Sequence, residues 1–594
     1  MDTGASSAMT DLTTRAAAAV IGAAVGDALG WPQENRSSNL DRKAPKPAMA
    51  FRSWRRRSGG RFNPYEEDIS AGDYSDDTQL LCAVGRSLAH GDGWYEWFTN
   101  IELPAFPPYQ RGAGGAVLGA CRAWMAGVAP WQPHKATNPR AYFNAGGNGG
   151  AMRVLPHAIA AAASGSLTDP NRVFADVTAT HGHLRAAVGA AVHAAALRAG
   201  MTFEGTLGYG ELIDMLLDKR DLWSVMPEPS EVPHDWINAW DSNTRTDFSG
   251  AWHAVVDEMV ALLATAQKGM NAGALASEGD TLAEIGCTGS KILGAGTVSA
   301  AGAVYLASRW AANPRAGLLA AAYLPKADTD TLASMTASIL GAFVGQEWMV
   351  PLDVQVQDHH YLAQLASALS ATQATDRLPD RHETKSSIDR YLKDLDSASP
   401  GRRLEYVDHR TMLLESREQL PTKSSGLSVE RFRLTAADGQ TLQFVRIHRA
   451  PRQGLVGDQQ LLPLDQAVTG GKPVVVRVGV KVSVADLDLM RRFYQELLGM
   501  TPSRTGSTFV TFNDVLALAK SDDPGLQGPS RVSVHLEVNE IESLWRQVQQ
   551  HGVRIMEPLA VDAGARRRFR CLDPEGNVIE VRDVGAEAPA GADP

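Results

Sequence analysis

The chain is poor in cysteine and in long uninterrupted runs of large apolar residues. Its cysteines, four among 594 residues, are Cys82, Cys121, Cys287 and Cys571. They are far apart and form no Cys-x-x-Cys pair, so neither a zinc site nor a disulfide framework is indicated, and a reducing cytoplasm is the expected location. The apolar stretch 16–26 is too short for a bilayer and ends at Asp27. We predict a tightly packed core helix there and no association with membranes.

The chain also has fewer basic than acidic residues. Lysine and arginine number 57 against 67 aspartates and glutamates, and this net charge of −10 argues against a general nucleic-acid-binding surface. Five arginines do cluster between residues 52 and 61. We interpret this cluster as a solvated loop, with contact to a phosphate-bearing target as the alternative. An apolar content of 44% is typical of soluble globular proteins, and the length predicts two to four domains.

The first 365 residues are rich in alanine and glycine. Apolar periodicity predicts helices at 113–127, 151–164, 184–199, 252–267, 294–312 and 332–345. No alternating pattern in this part predicts a strand. Small residues on so many helices imply close contact between helices, so residues 1–365 are predicted to form one all-α domain.

The composition changes after this domain. Residues 366–470 are predicted to be a connector with some β structure, including a hairpin with strands at 428–434 and 441–447 around an Asp-Gly turn. Residues 471–584 alternate between strand and helix patterns, which predicts an α+β module. The last segment, 585–594, is small, acidic and predicted to be disordered. The expected fold class is therefore multidomain.

Two clusters of acidic and hydroxyl residues stand directly before apolar helical runs. Residues 75–77 (Ser-Asp-Asp) precede the run 80–88, and residues 328–331 (Asp-Thr-Asp-Thr) precede 332–341. Carboxylate and hydroxyl oxygens are ligands that Mg²⁺ and Mn²⁺ prefer. Helix capping is the alternative, but one cap per helix suffices and these clusters carry redundant acids. We therefore predict one metal site built from two helix N-termini.

Two more segments complete a recognisable pattern. A helix is predicted to end at Gly30, because Pro32 follows, which leaves Glu34 on a loop. A glycine-rich segment, 146–153 (GGNGGAMR), precedes another helix. With the two acidic clusters, these segments resemble the ADP-ribosylglycohydrolase family, which includes dinitrogenase-reductase-activating glycohydrolase and the ADP-ribosylarginine and ADP-ribosylserine hydrolases. The resemblance covers about residues 15–365 and implies an all-α domain holding two Mg²⁺ or Mn²⁺ ions.

The resemblance also implies roles for individual residues. The metal ligands would be Ser75, Asp76, Asp77, Asp328, Asp330 and Thr331. The catalytic residues would be Glu34, Asp76, Asp77 and Asp330. The residues that bind the substrate would be Gly147, Asn148, Gly149, Gly150, Ala151, Met152 and His181. Glycine N–H groups at a helix start suit a diphosphate or a ribose, although a tight structural turn is the alternative. His181 could equally be structural, and Arg153 is left open between a phosphate partner and an internal ion pair.

The expected activity is hydrolysis of an ADP-ribosyl bond. Cleavage at the anomeric carbon develops oxocarbenium character, and two metal ions can orient the ribose and activate a water. Among targets we favour a protein arginine. The alternatives are serine, a nucleic-acid base or free ADP-ribosyl metabolites, and a non-catalytic ADP-ribose-binding protein on the same fold. The pocket for the leaving group is built by loops that the sequence does not place.

The C-terminal module has its own resemblance. Residues 478–499, with a strand and the predicted helix 485–498, and the closing segment 573–580 resemble the glyoxalase/bleomycin-resistance (vicinal oxygen chelate) superfamily. By this resemblance, Gly479 and Ser533 stand where metal-binding members carry ligands, and only Glu580 remains as a ligand. One carboxylate does not make a transition-metal site, so we predict no metal here, with His535 as a shifted ligand being the alternative. The resemblance implies one βαβββ unit, half of the usual pair, which predicts a homodimer.

Overall fold

A computed structural model describes most of the chain. The residues it describes are 3–34, 39–41, 46–59, 63–228, 235–273, 276–289, 292–371, 382–422, 426–449, 475–484, 502–505, 509–512, 516–520, 532–538, 541–550, 555–561, 567–572 and 578–583. They form two compact units, Met1–Leu455 and Val456–Pro594. The predicted tail 585–594 and the predicted helix 485–498 lie outside the described residues.

The first unit is built mainly from α-helices, as predicted. Numbered α1 to α19 in chain order, they are Thr3–Glu34, Asp76–Leu88, Trp94–Trp97, Leu103–Ala105, Gly115–Met125, Pro139–Phe143, Leu155–Ala163, Pro170–Thr178, Leu184–Thr202, Glu211–Asp218, Trp236–Thr244, Phe248–Asn271, Glu278–Ile285, Gly296–Trp310, Pro314–Ala322, Thr329–Val344, Leu352–Gln355, His359–Ser370 and Lys385–Asp396. Helices α9, α14 and α16 are buried along nearly their whole length. Small side chains allow this, because they let neighbouring helices approach closely on several faces at once.

Helices α1 and α16 cross at very short distance. A Cβ added at Gly22, Gly26 or Gly30 of α1 would lie 2.6, 2.2 or 2.2 Å from a backbone oxygen of α16. These glycines are four residues apart and therefore share one face of α1. Only hydrogen fits between the two backbones there, which confirms the small-residue core helix predicted at 16–26. Residues Asp11–Glu34 are long and apolar enough to span a membrane by length and composition alone, and most of them are buried in this core.

The end of α1 differs from the prediction. The helix does not stop at Gly30 but continues through Pro32 to Glu34, its last residue. The final carbonyl groups find side-chain donors: the Thr329 hydroxyl donates to the Gly30 oxygen at 2.9 Å, and Asn39 Nδ2 donates to the Pro32 oxygen at 2.7 Å. Because tertiary contacts satisfy these groups, the helix tolerates a proline in its last turn. Glu34 therefore stands on a helix end and not on a loop.

Two β elements join the helices of the first unit. Strands β1 (Trp54–Ser58) and β2 (Tyr65–Ile69) form an antiparallel ribbon. No strand was predicted there, because three of the five residues of β1 are arginines and show no apolar alternation. Arg56, expected in a solvated loop, is half-buried and lies 5.2 Å from the centre of the Trp31 ring.

The second β element comes from the segment predicted as a connector. Strands β3 (Arg403–Glu405), β4 (Thr411–Leu420), β5 (Leu427–Ala436) and β6 (Thr441–Arg449) form an antiparallel sheet in that order. The hairpin predicted there is β5–β6. The sheet belongs to the first unit instead of separating two domains. It packs on the helices through Phe444, whose ring is 5.7 Å from that of Tyr109, and through Gln443, whose Nε2 donates to Asp73 at 3.3 Å.

The second unit contains one mixed sheet. Its strands, β7 to β14, are Val475–Val484, Pro502–Thr505, Phe509–Phe512, Leu516–Lys520, Val532–Val538, Ile555–Val561, Arg567–Leu572 and Val578–Asp583. The spatial order is β12-β13-β14-β11-β7-β10-β9-β8. Helix α20 (Ile541–Gln550) covers Phe569, Cys571 and Val581 on one face. The strands fall into two consecutive sets of four joined by the β7–β11 pair, so the chain carries both halves of the expected pair and not the single repeat that was counted.

Candidate metal and substrate site

The first acidic cluster caps helix α2. Ser75 is the N-cap, and its Oγ accepts a hydrogen bond from the Asp77 amide at 3.2 Å. Asp76 and Asp77 occupy the first turn and are buried. Asp27 of α1, which sequence analysis did not assign to the site, holds this turn in place: it accepts from the Ser75 amide at 3.0 Å and from the Thr78 amide and hydroxyl at 3.1 and 2.7 Å. No local sequence pattern pairs Asp27 with these donors, which lie about fifty positions away along the chain.

The second acidic cluster begins helix α16. Asp328 occupies its N-cap position but makes no capping bond with its side chain. The carboxylate instead accepts from Asn148 Nδ2 at 2.8 Å. Asp330 lies in the first turn, and its Oδ1 accepts from the amide of Thr331 at 2.9 Å. Glu34, Asp328 and Asp330 each offer one carboxylate oxygen, and these oxygens lie within 4.8 Å of one another. That spacing fits a bound cation.

The two clusters and Glu34 form one electrostatic centre. Burial raises the pKa of Asp76, Asp77 and Asp330 well above the usual range, and neighbouring carboxylates raise it further. Two effects raise the pKa of Glu34 to about 7: the larger is exclusion of water by the surrounding protein, and the next is the negative charge of Asp328. The residue itself is exposed, at the rim of the centre. Among the described residues, Oδ2 of Asp77 is buried without any hydrogen-bond partner. A set of oxygen donors that repel one another and leave an acceptor unsatisfied fits divalent cations.

The glycine-rich segment forms a turn fixed to the loop before α14. The Asn148 amide donates to the Gly294 oxygen at 2.9 Å, and Gly147 pairs with Ala295 in a β-bridge. Beneath the turn, Arg153 is fully buried. It bonds Asp176 through Nε at 2.8 Å and the Gly149 carbonyl through Nη1 at 2.9 Å. Arg153 is therefore an internal ion-pair residue that braces the turn.

The remaining residues predicted to bind substrate are mostly beneath the surface. Gly149, Gly150, Ala151 and Met152 are buried, whereas Gly147 and Asn148 are partly exposed. A single 3₁₀ turn, Ala151–Arg153, separates the glycines from α7. His181 is buried beside the turn, with Nδ1 2.8 Å from the Thr180 hydroxyl. Burial lowers the pKa of His181 to about 3, which keeps the ring neutral.

Comparison with known proteins identifies this arrangement. The family model of ADP-ribosylglycohydrolase matches residues 8–379, which include both acidic clusters, the glycine turn and His181. The chain belongs to the ADP-ribosylglycohydrolase family. It is accordingly a glycosidic hydrolase. The glyoxalase/bleomycin resistance protein/dioxygenase superfamily matches residues 476–581, so both resemblances found in the sequence are confirmed.

Several solved structures are similar to parts of the chain. A chain described as "ADP-ribosylglycohydrolase-related protein complex" is 18% identical, with 61% of this chain and 99% of that chain covered and a TM-score of 0.38. A glyoxalase/bleomycin resistance protein/dioxygenase superfamily member from Vibrio splendidus 12B01 is 18% identical over 18% of this chain and 97% of its own, with a TM-score of 0.16. The Mn(II)-bound glyoxalase from Novosphingobium aromaticivorans is 22% identical, with 19% of this chain and 40% of that chain covered and a TM-score of 0.16. No curated protein matches the chain.

The strand register of the second unit shows which of these residues lie level with one another. His535, and not Ser533, pairs with Gly479 on one side and with Glu580 on the other. Ser533 lies two residues away along β11, which puts it opposite Lys481. The buried carboxylate of Glu580 accepts from Arg570 Nε at 2.9 Å and from Arg582 Nε at 2.7 Å. Both of its oxygens are thus already engaged by guanidinium groups.

Proposed function

We propose that the first unit is a divalent-cation-dependent hydrolase that removes ADP-ribose from a modified target. The observation that carries this proposal is the unsatisfied, buried Oδ2 of Asp77 within a cluster of mutually repelling carboxylates. Such a cluster is costly without a compensating positive charge. Two Mg²⁺ or Mn²⁺ ions supply that charge, hold ribose hydroxyls and acidify a water when bound.

The residues divide into two ligand sets under this proposal. At the start of α2, the residues that would hold one ion are Ser75, Asp76 and Asp77. At the start of α16, the residues that would hold the other are Asp328, Asp330 and Thr331. Asp27 keeps the first set in register through its bonds to the backbone of α2. Glu34 can complete the second set or handle the proton, because its carboxylate is at the rim and close to Asp330.

Hydrolysis transfers a water oxygen to the anomeric carbon and breaks the bond to the target. The leaving nitrogen or oxygen must gain a proton, and the water must lose one. Glu34 is placed to carry that proton, since it is the one exposed carboxylate among the three that converge there. The glycine turn supports the ADP-ribose beside Asp328, with Asn148 linking the two.

The preferred target is an ADP-ribosylated protein arginine. Serine, a nucleic-acid base, a free ADP-ribosyl metabolite and a role in binding without catalysis are the alternatives. The test is an assay of the full chain with Mg²⁺ or Mn²⁺ against ADP-ribosylated arginine, serine and DNA, with EDTA as the control. Release of ADP-ribose from the arginine substrate, lost in EDTA, is expected. Full activity in EDTA contradicts the cation dependence, and activity confined to another linkage contradicts the choice of target.

For the second unit we keep the predictions of no bound metal and of a homodimer. The engagement of Glu580 by arginines supports the first. The second has less support than the sequence suggested, because the unit contains both halves of the usual pair. Elemental analysis and light scattering of the full chain test them. Stoichiometric nickel or zinc contradicts the first prediction, and a monomer at high concentration contradicts the second. The cytoplasmic location stays a prediction.

A further inference from the structure

A cavity of about 420 Å³ borders the carboxylate centre of the first unit. Its walls come from the β1–β2 ribbon, the loop 107–113 and strand β6. The loop contacts the centre directly, because the Asp76 amide donates to the Arg111 carbonyl at 3.0 Å. The glycine turn reaches the same centre through a different carboxylate, that of Asp328. A ligand could therefore fill the cavity while ADP-ribose occupies the turn.

The walls of this cavity carry more positive than negative charge. Three arginines line it, Arg56, Arg57 and Arg111, against one acid, Glu67. Nη1 of Arg111 donates to Asp73 Oδ2 at 2.8 Å, but its buried Nη2 has no hydrogen-bond partner among the described residues. The carboxylate of Glu67 comes only within 3.8 Å of Arg56. The guanidinium groups therefore retain hydrogen-bonding capacity that the protein itself does not use.

Trp31 connects this charged wall to the reaction centre. The guanidinium carbons of Arg56 and Arg111 lie 5.2 and 5.1 Å from the centre of its ring. Trp31 stands on α1 three residues before Glu34, so the arginines are stacked directly beside the helix end that carries this carboxylate. Stacking fixes the planes of the guanidinium groups and lowers the entropy that they lose on binding a ligand.

Part of the cavity is made by residues beyond the segment that matches the family. Gln443, Val445 and Ile447 of β6 line it, whereas the family match ends at residue 379. The added sheet thus shapes a pocket next to the centre without supplying any of its carboxylates. A wall of this kind is placed to select among targets.

We propose that this cavity binds an oxyanion, a phosphate or a carboxylate, that the ADP-ribosylated peptide carries next to the modified arginine. The inference rests on the proposed function for the position of the scissile bond. Guanidinium groups bind oxyanions through paired, charge-assisted hydrogen bonds. The same arginines repel lysine and arginine side chains of a bound peptide. Binding of a peptide that carries only positive charge around the modified arginine is therefore disfavoured.

Binding is tested with inorganic phosphate, titrated calorimetrically into the full chain in EDTA. Arg57→Gln should weaken phosphate binding about fivefold, because one unit charge is lost from a partly solvated wall. Glu67→Gln should tighten it by a similar factor. Arg55→Gln is the matched control: it makes the same change of charge on the same strand, but Arg55 does not line the cavity. No phosphate binding, or equal losses in Arg57→Gln and Arg55→Gln, overturns the proposal.

Selectivity is tested with three ADP-ribosylarginine peptides that differ at one neighbouring position: phosphoserine, glutamate or glutamine. We expect kcat/KM about fivefold higher for an anionic neighbour than for glutamine, with the preference lost in Arg57→Gln. The first two peptides distinguish phosphate from carboxylate. Equal cleavage of all three overturns the inference and leaves the proposed hydrolysis standing. Cleavage of none, with phosphate binding as expected, contradicts hydrolysis of arginine linkages and leaves the anion site standing.

Discussion

The crossing of α1 and α16 gives a prediction with a calculable cost. In Gly26→Ala the new Cβ would lie 2.2 Å from the Ala333 oxygen and 2.6 Å from the Ser334 nitrogen. Ordinary contact begins at 3.4 Å, so the helices must separate locally by roughly 1.2 Å, and no side chain can rotate to relieve the clash. Overpacking of this kind costs about 3 kcal/mol, and the better helix propensity of alanine returns about 1 kcal/mol. We expect a net loss of about 2 kcal/mol.

The same change should disturb the metal site. Glu34 lies two turns beyond residue 26 on α1, and Asp330 lies one turn before Ala333 on α16, so separating the helices moves both carboxylates. We expect metal affinity to fall about tenfold, as it does when supporting residues of metal sites are altered.

Urea unfolding followed by circular dichroism, together with hydrogen exchange of the α1 and α16 amides, measures the loss of stability. Gly119→Ala on α5 is the control. Its new Cβ would lie 3.9 Å from Nη2 of Arg122, the nearest atom among the described residues, so the change should stabilise the helix by about 0.5–1 kcal/mol. Equal stability of Gly26→Ala and Gly119→Ala would refute the packing argument.

Two further predictions concern positioning residues. Asp27→Asn replaces a carboxylate that accepts from three donors at the start of α2 with an amide, which can also donate. We expect a loss of about 2–3 kcal/mol in the free energy of unfolding and weaker Mn²⁺ binding in a calorimetric titration. Unchanged Mn²⁺ binding would show that other contacts hold the start of α2. Gly149→Val would place a Cβ 2.7 Å from Cε1 of His181, so either the histidine ring or the glycine turn must move. Calorimetry should then show weaker ADP-ribose binding. An undiminished affinity would argue against the turn as the nucleotide site.

Sequence reasoning succeeded where local pattern and chemistry coincide. The helical unit, the helices that follow both acidic clusters and the β5–β6 hairpin each have a short-range signal in periodicity, charge or turn residues. The contribution of Asp27 has no such signal, because its three donors come from residues about fifty positions away. Arg56 was interpreted as solvated because nothing local indicates that Trp31 packs against it.

Long-range pairing explains the other errors. Pro32 indicated a helix end, but side chains from residues 39 and 329 satisfy the terminal carbonyls and let the helix continue. In the second unit, the register places His535, and not Ser533, level with Gly479 and Glu580, and no local pattern shows which residues pair across strands. The sequence predicts a single repeat where that unit has two four-stranded halves, because the β7–β11 pairing that joins the halves is not visible in the pattern of either strand.

The most direct test of the account is the number of Mn²⁺ ions bound per chain, measured by equilibrium dialysis and elemental analysis. We predict two ions in the native protein and fewer in Asp77→Asn, whose unsatisfied buried oxygen is a proposed ligand. Asp218→Asn, which changes an exposed acid on α10, should still bind two. Equal stoichiometry in all three proteins, or no bound ion in the native chain, would contradict the claim that the two helix N-termini form a divalent-cation centre.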